Sequence, residues 1–395
     1  YRAVEVREEP RRLHAVPAPA VEDRTDYEVL ASVFDRLEGE AVGERYSHRL
    51  VAVAEDFDAV LAGGGVQSLW RKPGEGEEPV PGADVSAPEM HAVREFKSRR
   101  AYGTAMLELL EDGAQATLLL GFFPNLIEHT QICAAALRDK VARIVFRRAS
   151  YEHGSFLSAR DHGRLADYDT LGVEVWWCND ERRHVAVHVF RGLRGFFMEP
   201  QHVDRFRSAL IFAGYGSSRA LPEEEGDKVS RLLANLRSFF GRDIAIMTGG
   251  GPGAMQQATD IAQEMGMLVG ASFIETVDQE TNQTAAFYQT FQGRSRQARQ
   301  RWFEVASFHL FFMGGVGTLE EVGLTLTDMK LGVIELSPLV FFGRYDGEKY
   351  WRNLRRQFRT MVAAGRAPAW LEENVFVTDD PDQVAAFYKR ILELG

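Results

Sequence analysis

The stretch 243-DIAIMTGGGPGAMQQATDIAQEMG-266 opens on an apolar run, breaks at clustered glycines, and resumes with helical periodicity. It reads as a strand over 243–249 and a helix over 252–266, with Pro252 suited to the first helical turn, where no N–H is needed. The pattern recurs in 307-SFHLFFMGGVGTLEEVGLTLTDMKLG-332, as a strand over 307–314 and a helix over 318–332. Two strand–glycine turn–helix units in one region imply a parallel sheet covered on both faces by helices. In such sheets ligands bind beyond the carboxyl ends of the strands, where these turns lie.

The alternation extends outward from these two units. Strands are expected at 208–214, 267–273, 338–343 and 374–379, and helices at 222–241, 294–306, 348–365 and 381–395. An irregular polar stretch separates 273 from 294. The fold class is therefore α/β, with a Rossmann-like, doubly wound parallel sheet over residues 205–395. Residues 25–204 read as an additional mixed α/β domain of unknown role. Its elements are a helix over 25–38, a strand at 50–54, a strand or short helix at 57–65, and a strand–helix–strand run over 116–148. Antiparallel strands at 173–178 and 185–192 follow, joined by the polar turn 179-NDERRH-184. A Pro- and Gly-rich loop occupies 71–89, a helix is expected over 88–112, and residues 1–24 read as a flexible charged tail.

Composition limits the partners. A chain of 395 residues fits two or three domains, and 45% apolar with 26% charged residues is ordinary for a globular protein. A net charge of −11 argues against nucleic acid as a partner, because phosphate neutralisation needs a basic face. Cys133 and Cys178 form neither a metal-ligand spacing nor a disulfide framework, and a reducing cytoplasm is the expected location. The apolar run 116-ATLLLGFFPNLI-127 is too short for a membrane span and is broken by Pro124, so no membrane is expected as a partner. The opening residues lack an apolar signal core.

The glycines carry the chemistry. Gly249, Gly250, Gly251 and Gly253 let the backbone approach an anion, and the free amides of the following helix attract phosphate. Gly314, Gly315, Gly317 and Thr318 form the second such turn. Thr318 and Glu321 also have capping-box spacing, which would cap a helix without any further role but leaves the glycines unexplained. A third element, 214-GYGSS-218, ends the domain's first strand. There Gly216, Ser217 and Ser218 either meet a phosphate or ribose or form an ordinary polar loop. An arginine cluster at Arg294, Arg296, Arg299 and Arg301 precedes the second turn.

In this order, the Gly-Ser-Ser loop, the glycines running through Met255, the arginine helix and GG-x-GT-x-x-E resemble the LONELY GUY (LOG) family. Its members were long labelled possible lysine decarboxylases. The resemblance covers about 205–395 and implies hydrolysis of the N-glycosidic bond of nucleoside 5′-monophosphates to free base and ribose 5-phosphate. The implied substrate is AMP-like, the assembly a homodimer or higher oligomer, and no metal or other cofactor is called for. The family's essential glutamate falls on Glu321. Its arginine falls on Ala298 by ungapped counting from 313-MGG-315, and on Arg299 with one gap, which the Arg299–Phe303 spacing supports; Arg296 is the alternative. Met313 stands where the family usually has proline.

The chemistry agrees with these residues. Ribosyl–base cleavage passes through an oxocarbenium-like sugar, which a carboxylate such as Glu321 stabilises while orienting water. A decarboxylase using pyridoxal phosphate would need a catalytic lysine. This half has only Lys228, Lys330, Lys349 and Lys389, and Lys330 reads as a helix C-terminal partner. The competing reading is a binding module that senses a nucleotide with the same fold. Glu321 favours the enzyme, and Met313 leaves room for the sensor.

Overall fold

The computed structural model describes residues 25–40, 51–54, 57–61, 67–68, 115–121, 123–124, 126–147, 157–180, 182–241, 243–275, 284–292 and 296–392. The chain forms two compact units, residues 1–189 and 190–395.

The described part of the first unit contains α1 (Asp26–Glu40), β1 (Val51–Ala54), α2 (Phe57–Leu61), β2 (Gln67–Ser68) and β3 (Ala116–Leu120). Next come α3 (Leu126–Ala136), β4 (Val141–Phe146), α4 (Ala159–Thr170), β5 (Glu174–Asn179) and β6 (His184–Arg191), whose last residues pass the boundary. The strand order is β2-β1-β3-β4-β5-β6. β3, β4 and β5 run parallel, whereas β1, β2 and β6 pair antiparallel with their neighbours. This is the mixed α/β architecture expected. Leu30, Val33 and Phe34 of α1 supply one buried face, packed with Phe57, Val60, Leu119 and Val145. The ambiguous run at 57 is a helix. The tail 1–24, Gly63–Gly65, the loop at 71–89 and the helix expected over 88–112 lie outside the described residues.

The second unit begins with β7 (Arg194–Met198) and α5 (Val203–Ser208), followed by β8 (Leu210–Tyr215), α6 (Glu223–Phe240), β9 (Ile244–Thr248), α7 (Ala254–Glu264), β10 (Leu268–Glu275) and β11 (Phe287–Gln292). It continues through α8 (Arg296–Gln300), a 3₁₀ turn (Arg301–Val305), β12 (Phe308–Phe311), α9 (Val316–Leu331) and β13 (Leu339–Phe342). The hairpin β14 (Arg344–Tyr345) and β15 (Glu348–Lys349) follows, then α10 (Arg352–Ala363), α11 (Trp370–Glu373), β16 (Val375–Thr378) and α12 (Pro381–Leu392).

The sheet of this unit runs β16-β13-β12-β8-β9-β10-β11-β7. All its pairings are parallel except that of β7 with β11. From β8 the chain adds β9, β10 and β11 on one side and β12, β13 and β16 on the other. The order therefore reverses between β8 and β12, which is the topological switch point of a doubly wound sheet. One face is sealed by α6, α7 and α12 through Val229, Leu232, Leu236, Ala258, Val384 and Tyr388.

Several elements differ from the sequence reading. β11 emerges from the stretch read as irregular, because Gln289 and Thr290 separate its aromatic residues Phe287, Tyr288 and Phe291. The helix expected over 294–306 is a short α8 continued by a 3₁₀ turn. The adjacent aromatics Trp302 and Phe303 are both buried there, and Trp302 Nε1 donates to Gly195 O at 2.7 Å. The hairpin β14–β15 occupies the start of the helix expected at 348.

Candidate functional site

The first glycine turn is shaped largely from within. Gly250 has φ +68°, and a Cβ there would stand 2.3 Å from the Phe273 ring. Gly253, at φ +76°, is the N-cap of α7, and its Cβ would fall 2.4 Å from the Ser218 carbonyl carbon. Both positions therefore require glycine with or without a ligand. The helix starts at Ala254, so Pro252 lies before it rather than in its first turn. Ala254 N–H donates to Ser217 O at 3.1 Å and to Arg219 O at 3.0 Å, tying the Gly-Ser-Ser loop to the start of α7. Ser217 Oγ already accepts from Arg219 N–H at 3.1 Å, and Ser217 N–H donates to Met313 O at 3.3 Å. The end of β8 and the end of β12 thus touch at the switch point. Ser218 is exposed.

The second turn is built differently. α9 starts at Val316 with Gly315 as N-cap and no side-chain capping bond. The capping box read from Thr318 and Glu321 does not form, because both lie inside the helix. Thr318 instead packs on Gly314, where a Cβ would meet its Oγ1 at 2.1 Å. Glu321 consequently sits in the second helical turn. Gly315 and Gly317 are exposed, and a Cβ on either would meet nothing within 4 Å. Nothing inside the described fold explains glycine at these two positions. Without a capping side chain, the first amides of α9 remain to be paired from outside the helix.

Between the turns lies a buried ion pair. Arg299 Nη2 approaches Glu321 Oε1 at 3.4 Å, and Gln300 Nε2 donates to the same oxygen at 3.3 Å. Both charged residues are buried, Arg299 at 9% and Glu321 at 8% exposure. A Cβ on Gly249 would stand 2.8 Å from Arg299 Nη1 and 3.1 Å from Met255 Sδ. Arg299 therefore spans from the first glycine turn to the helix of the second. Its Nε is a buried donor with no partner among the described residues, a situation that costs on the order of 1–3 kcal/mol until a partner arrives. Arg296, by contrast, is exposed and paired with Glu320.

Burial dominates the titration of the pair. It pushes the Glu321 carboxyl up, opposed by Arg299 and by the Gln300 hydrogen bond, and it pushes Arg299 down, opposed by Glu321. Tyr215, at the end of β8, is raised by burial, and its hydroxyl lies 3.2 Å from Nδ1 of His309. Burial lowers His309 to about 4, so it is neutral at physiological pH.

Two neighbours of the site carry no sequence signal. Gln300 joins the pair only because α8 turns it toward Glu321. Tyr350 reaches the second turn across the chain, its hydroxyl donating to Gly314 O at 2.6 Å. Of the aromatic residues nearby, Trp302, Phe303 and Trp351 are buried, whereas Tyr350 is exposed, at 37%. Among the described residues no group of three or more His, Cys, Asp or Glu could hold a metal ion. No helix among them is long and apolar enough to cross a membrane.

The strand order and the paired turns define a Rossmann-like α/β domain with its candidate site at the switch point. Residues 253–387, in the C-terminal part of the chain, match the family model described as "Possible lysine decarboxylase", the label long given to the LOG family that the motifs resemble. The match starts at Gly253 and leaves out the Gly-Ser-Ser loop and the first three glycines. No curated protein is significantly similar to the chain. Among solved structures, a molybdenum cofactor binding protein from Rippkaea orientalis is 16% identical with a TM-score of 0.33, covering 47% of this chain and 98% of its own. The molybdenum cofactor carrier protein of Chlamydomonas reinhardtii is 18% identical with a TM-score of 0.34, covering 47% of this chain and 99% of its own. Likeness at these levels carries no weight for function.

Proposed function

We propose that the second unit hydrolyses the N-glycosidic bond of nucleoside 5′-monophosphates, AMP-like in base, to free base and ribose 5-phosphate. One observation carries this reading: the buried Arg299–Glu321 pair bridges the two glycine turns at the switch point. The exposed Gly315 and Gly317, with the uncapped start of α9, support phosphate binding at the second turn. Gly249, Gly251, Gly216, Ser217, Ser218 and Met255 complete the proposed cradle. Gly250 and Gly253 shape it.

In this mechanism the C1′–N bond breaks with its electron pair leaving on the base. The oxocarbenium-like sugar is stabilised by the Glu321 carboxylate. Water adds to C1′ and loses its proton to that carboxylate, which returns it to the departing base. Arg299 orients the carboxylate and opposes the rise that burial imposes on it. Its unpartnered Nε offers a donor to the ribose or phosphate. No metal takes part in these steps.

The decarboxylase description finds no lysine at this site among the described residues. Lys228 Nζ pairs with Glu224 and Glu225, Lys349 Nζ reaches Val377 O at 3.5 Å, and Lys330 is exposed in the last turn of α9. A homodimer belongs to the same proposal, and sedimentation as a monomer would count against it. The enzyme reading is tested by incubating the protein with AMP, GMP, CMP, UMP and the unphosphorylated nucleosides and measuring base release. Release from at least one monophosphate, and much less from its nucleoside, is expected. Tight binding of one monophosphate with no release from any supports the sensor instead.

A further inference from the structure

The second glycine turn is fastened from outside by the hairpin that precedes α10. Gly343 N–H donates to Thr378 O at 3.1 Å, and Tyr350 N–H donates back to Gly343 O at 3.0 Å, closing the hairpin on itself. The buried carboxylate of Glu225 accepts from Arg344 N–H at 2.9 Å and from Lys228 at 2.7 Å, fixing the hairpin to α6. Gly343 has φ +135°, and a Cβ there would lie 2.6 Å from Met313 Cγ, so the Met313 side chain packs directly on the hairpin base. The Tyr350 ring sits edge-on to Trp351, with centroids 4.9 Å apart, and edge-on to Tyr345 at 6.5 Å. From this anchored ring the hydroxyl donates to Gly314 O at 2.6 Å.

That bond has a directional consequence. In a trans peptide the carbonyl of one residue and the N–H of the next point in opposite directions. Holding Gly314 O toward Tyr350 therefore holds Gly315 N–H away from it. Gly315 is the uncapped N-cap of α9, with no side chain to limit its rotation. The residue before Gly314 is Met313, which leaves its own φ free where proline would fix it. An anion-binding amide in so permissive a segment needs an external restraint.

We propose that Tyr350 is a positioning residue of the nucleotide site: its hydroxyl fixes the Gly314–Gly315 peptide so that the Gly315 amide is presented to the phosphate. The role rests on the phosphate reading of the second turn and adds what that reading lacks, a reason for the turn to be preorganised. Glu225 and Met313 act behind it, by holding the hairpin that carries the ring.

The test is Tyr350→Phe, which removes the hydroxyl and leaves the ring and its aromatic contacts. Binding of AMP and of adenosine is measured by calorimetry for wild type and variant, and base release from AMP is resolved into kcat and KM. The dissociation constant and KM for AMP are expected to rise about three- to tenfold, the worth of one hydrogen bond. Adenosine affinity should stay within twofold, and kcat should change less than KM. Equal weakening of AMP and adenosine would show a merely structural role and overturn the proposal, as would unchanged AMP binding. A wild type that binds neither AMP nor any other monophosphate overturns the phosphate reading itself, and the positioning role with it.

Discussion

Replacing Gly317 by alanine separates the demands of the fold from those of a ligand. Gly317 is the second residue of α9, is exposed, and has no atom within 4 Å of where a Cβ would stand. Its backbone is helical, so alanine adopts it without strain. Alanine in place of glycine stabilises a helix by about 0.5–1 kcal/mol, partly by restricting the unfolded chain. In a first turn the lower figure applies, which for a unit of this size raises the melting temperature by about 1–2 °C. The added methyl stands among the amides where phosphate is proposed to lie. Crowding there costs on the order of 1–3 kcal/mol of binding, or about 5- to 150-fold in affinity. Thermal denaturation and AMP titration of Gly317→Ala should therefore move in opposite directions, to higher stability and weaker binding. A variant that loses stability, or binds AMP as tightly as wild type, refutes the reasoning. Gly253→Ala is the contrast: positive φ and a collision with the Ser218 backbone predict a loss of stability of more than about 1 kcal/mol.

Other consequences concern the ion pair and the thiols. Arg299→Met leaves the Glu321 carboxylate buried without its cation and should cost about 3–5 kcal/mol in stability, measured by urea denaturation; a cost below about 1 kcal/mol would show that the pair is not buried as described. Because burial raises the Glu321 carboxyl, kcat/KM should fall as pH drops through a value above the ordinary carboxylate range, and an acid limb at an ordinary value would contradict the burial. The stability effect has the opposite sign. A raised folded value favours the fold below the unfolded pKa and loses that contribution as pH rises through the folded one, so the wild-type urea midpoint should show a decline with pH that Glu321→Gln lacks. The Cys133 and Cys178 thiols are both pushed up to about 11 by burial, so labelling with a disulfide reagent at pH 8 should be slow in the folded protein and rapid in guanidinium.

Much of the second unit was legible in the sequence because each strand–turn–helix unit there is local. Glycines after 243-DIAIMT-248 and 307-SFHLFFM-313 mark strand ends directly, and the order of elements then leads to the switch point. β11 was missed because its buried polar residue, Gln289, hides the pattern that Phe287 and Phe291 begin. The capping box was misread because Thr-x-x-Glu spacing is the same inside a helix as at its start. Only the backbone shows that α9 begins at Val316. Counting left Arg299 and Arg296 as alternatives for the arginine; in the fold Arg299 is buried against Glu321 and Gly249, and Arg296 stays at the surface with Glu320. Tyr350 and Gln300 had no signal, since each acquires its contact only through the tertiary fold. In the first unit the parallel run β3–β4–β5 and the β5–β6 hairpin follow from local apolar patterning in the same way.

The central claim is that Glu321 performs glycosidic cleavage on a nucleotide held by the two turns. Product analysis of AMP with wild type and with Glu321→Ala tests it most directly. Adenine and ribose 5-phosphate should appear in equal amounts with the wild type, and neither should appear above background with a variant that still binds AMP. Turnover retained by Glu321→Ala, or adenine released without ribose 5-phosphate, would contradict it.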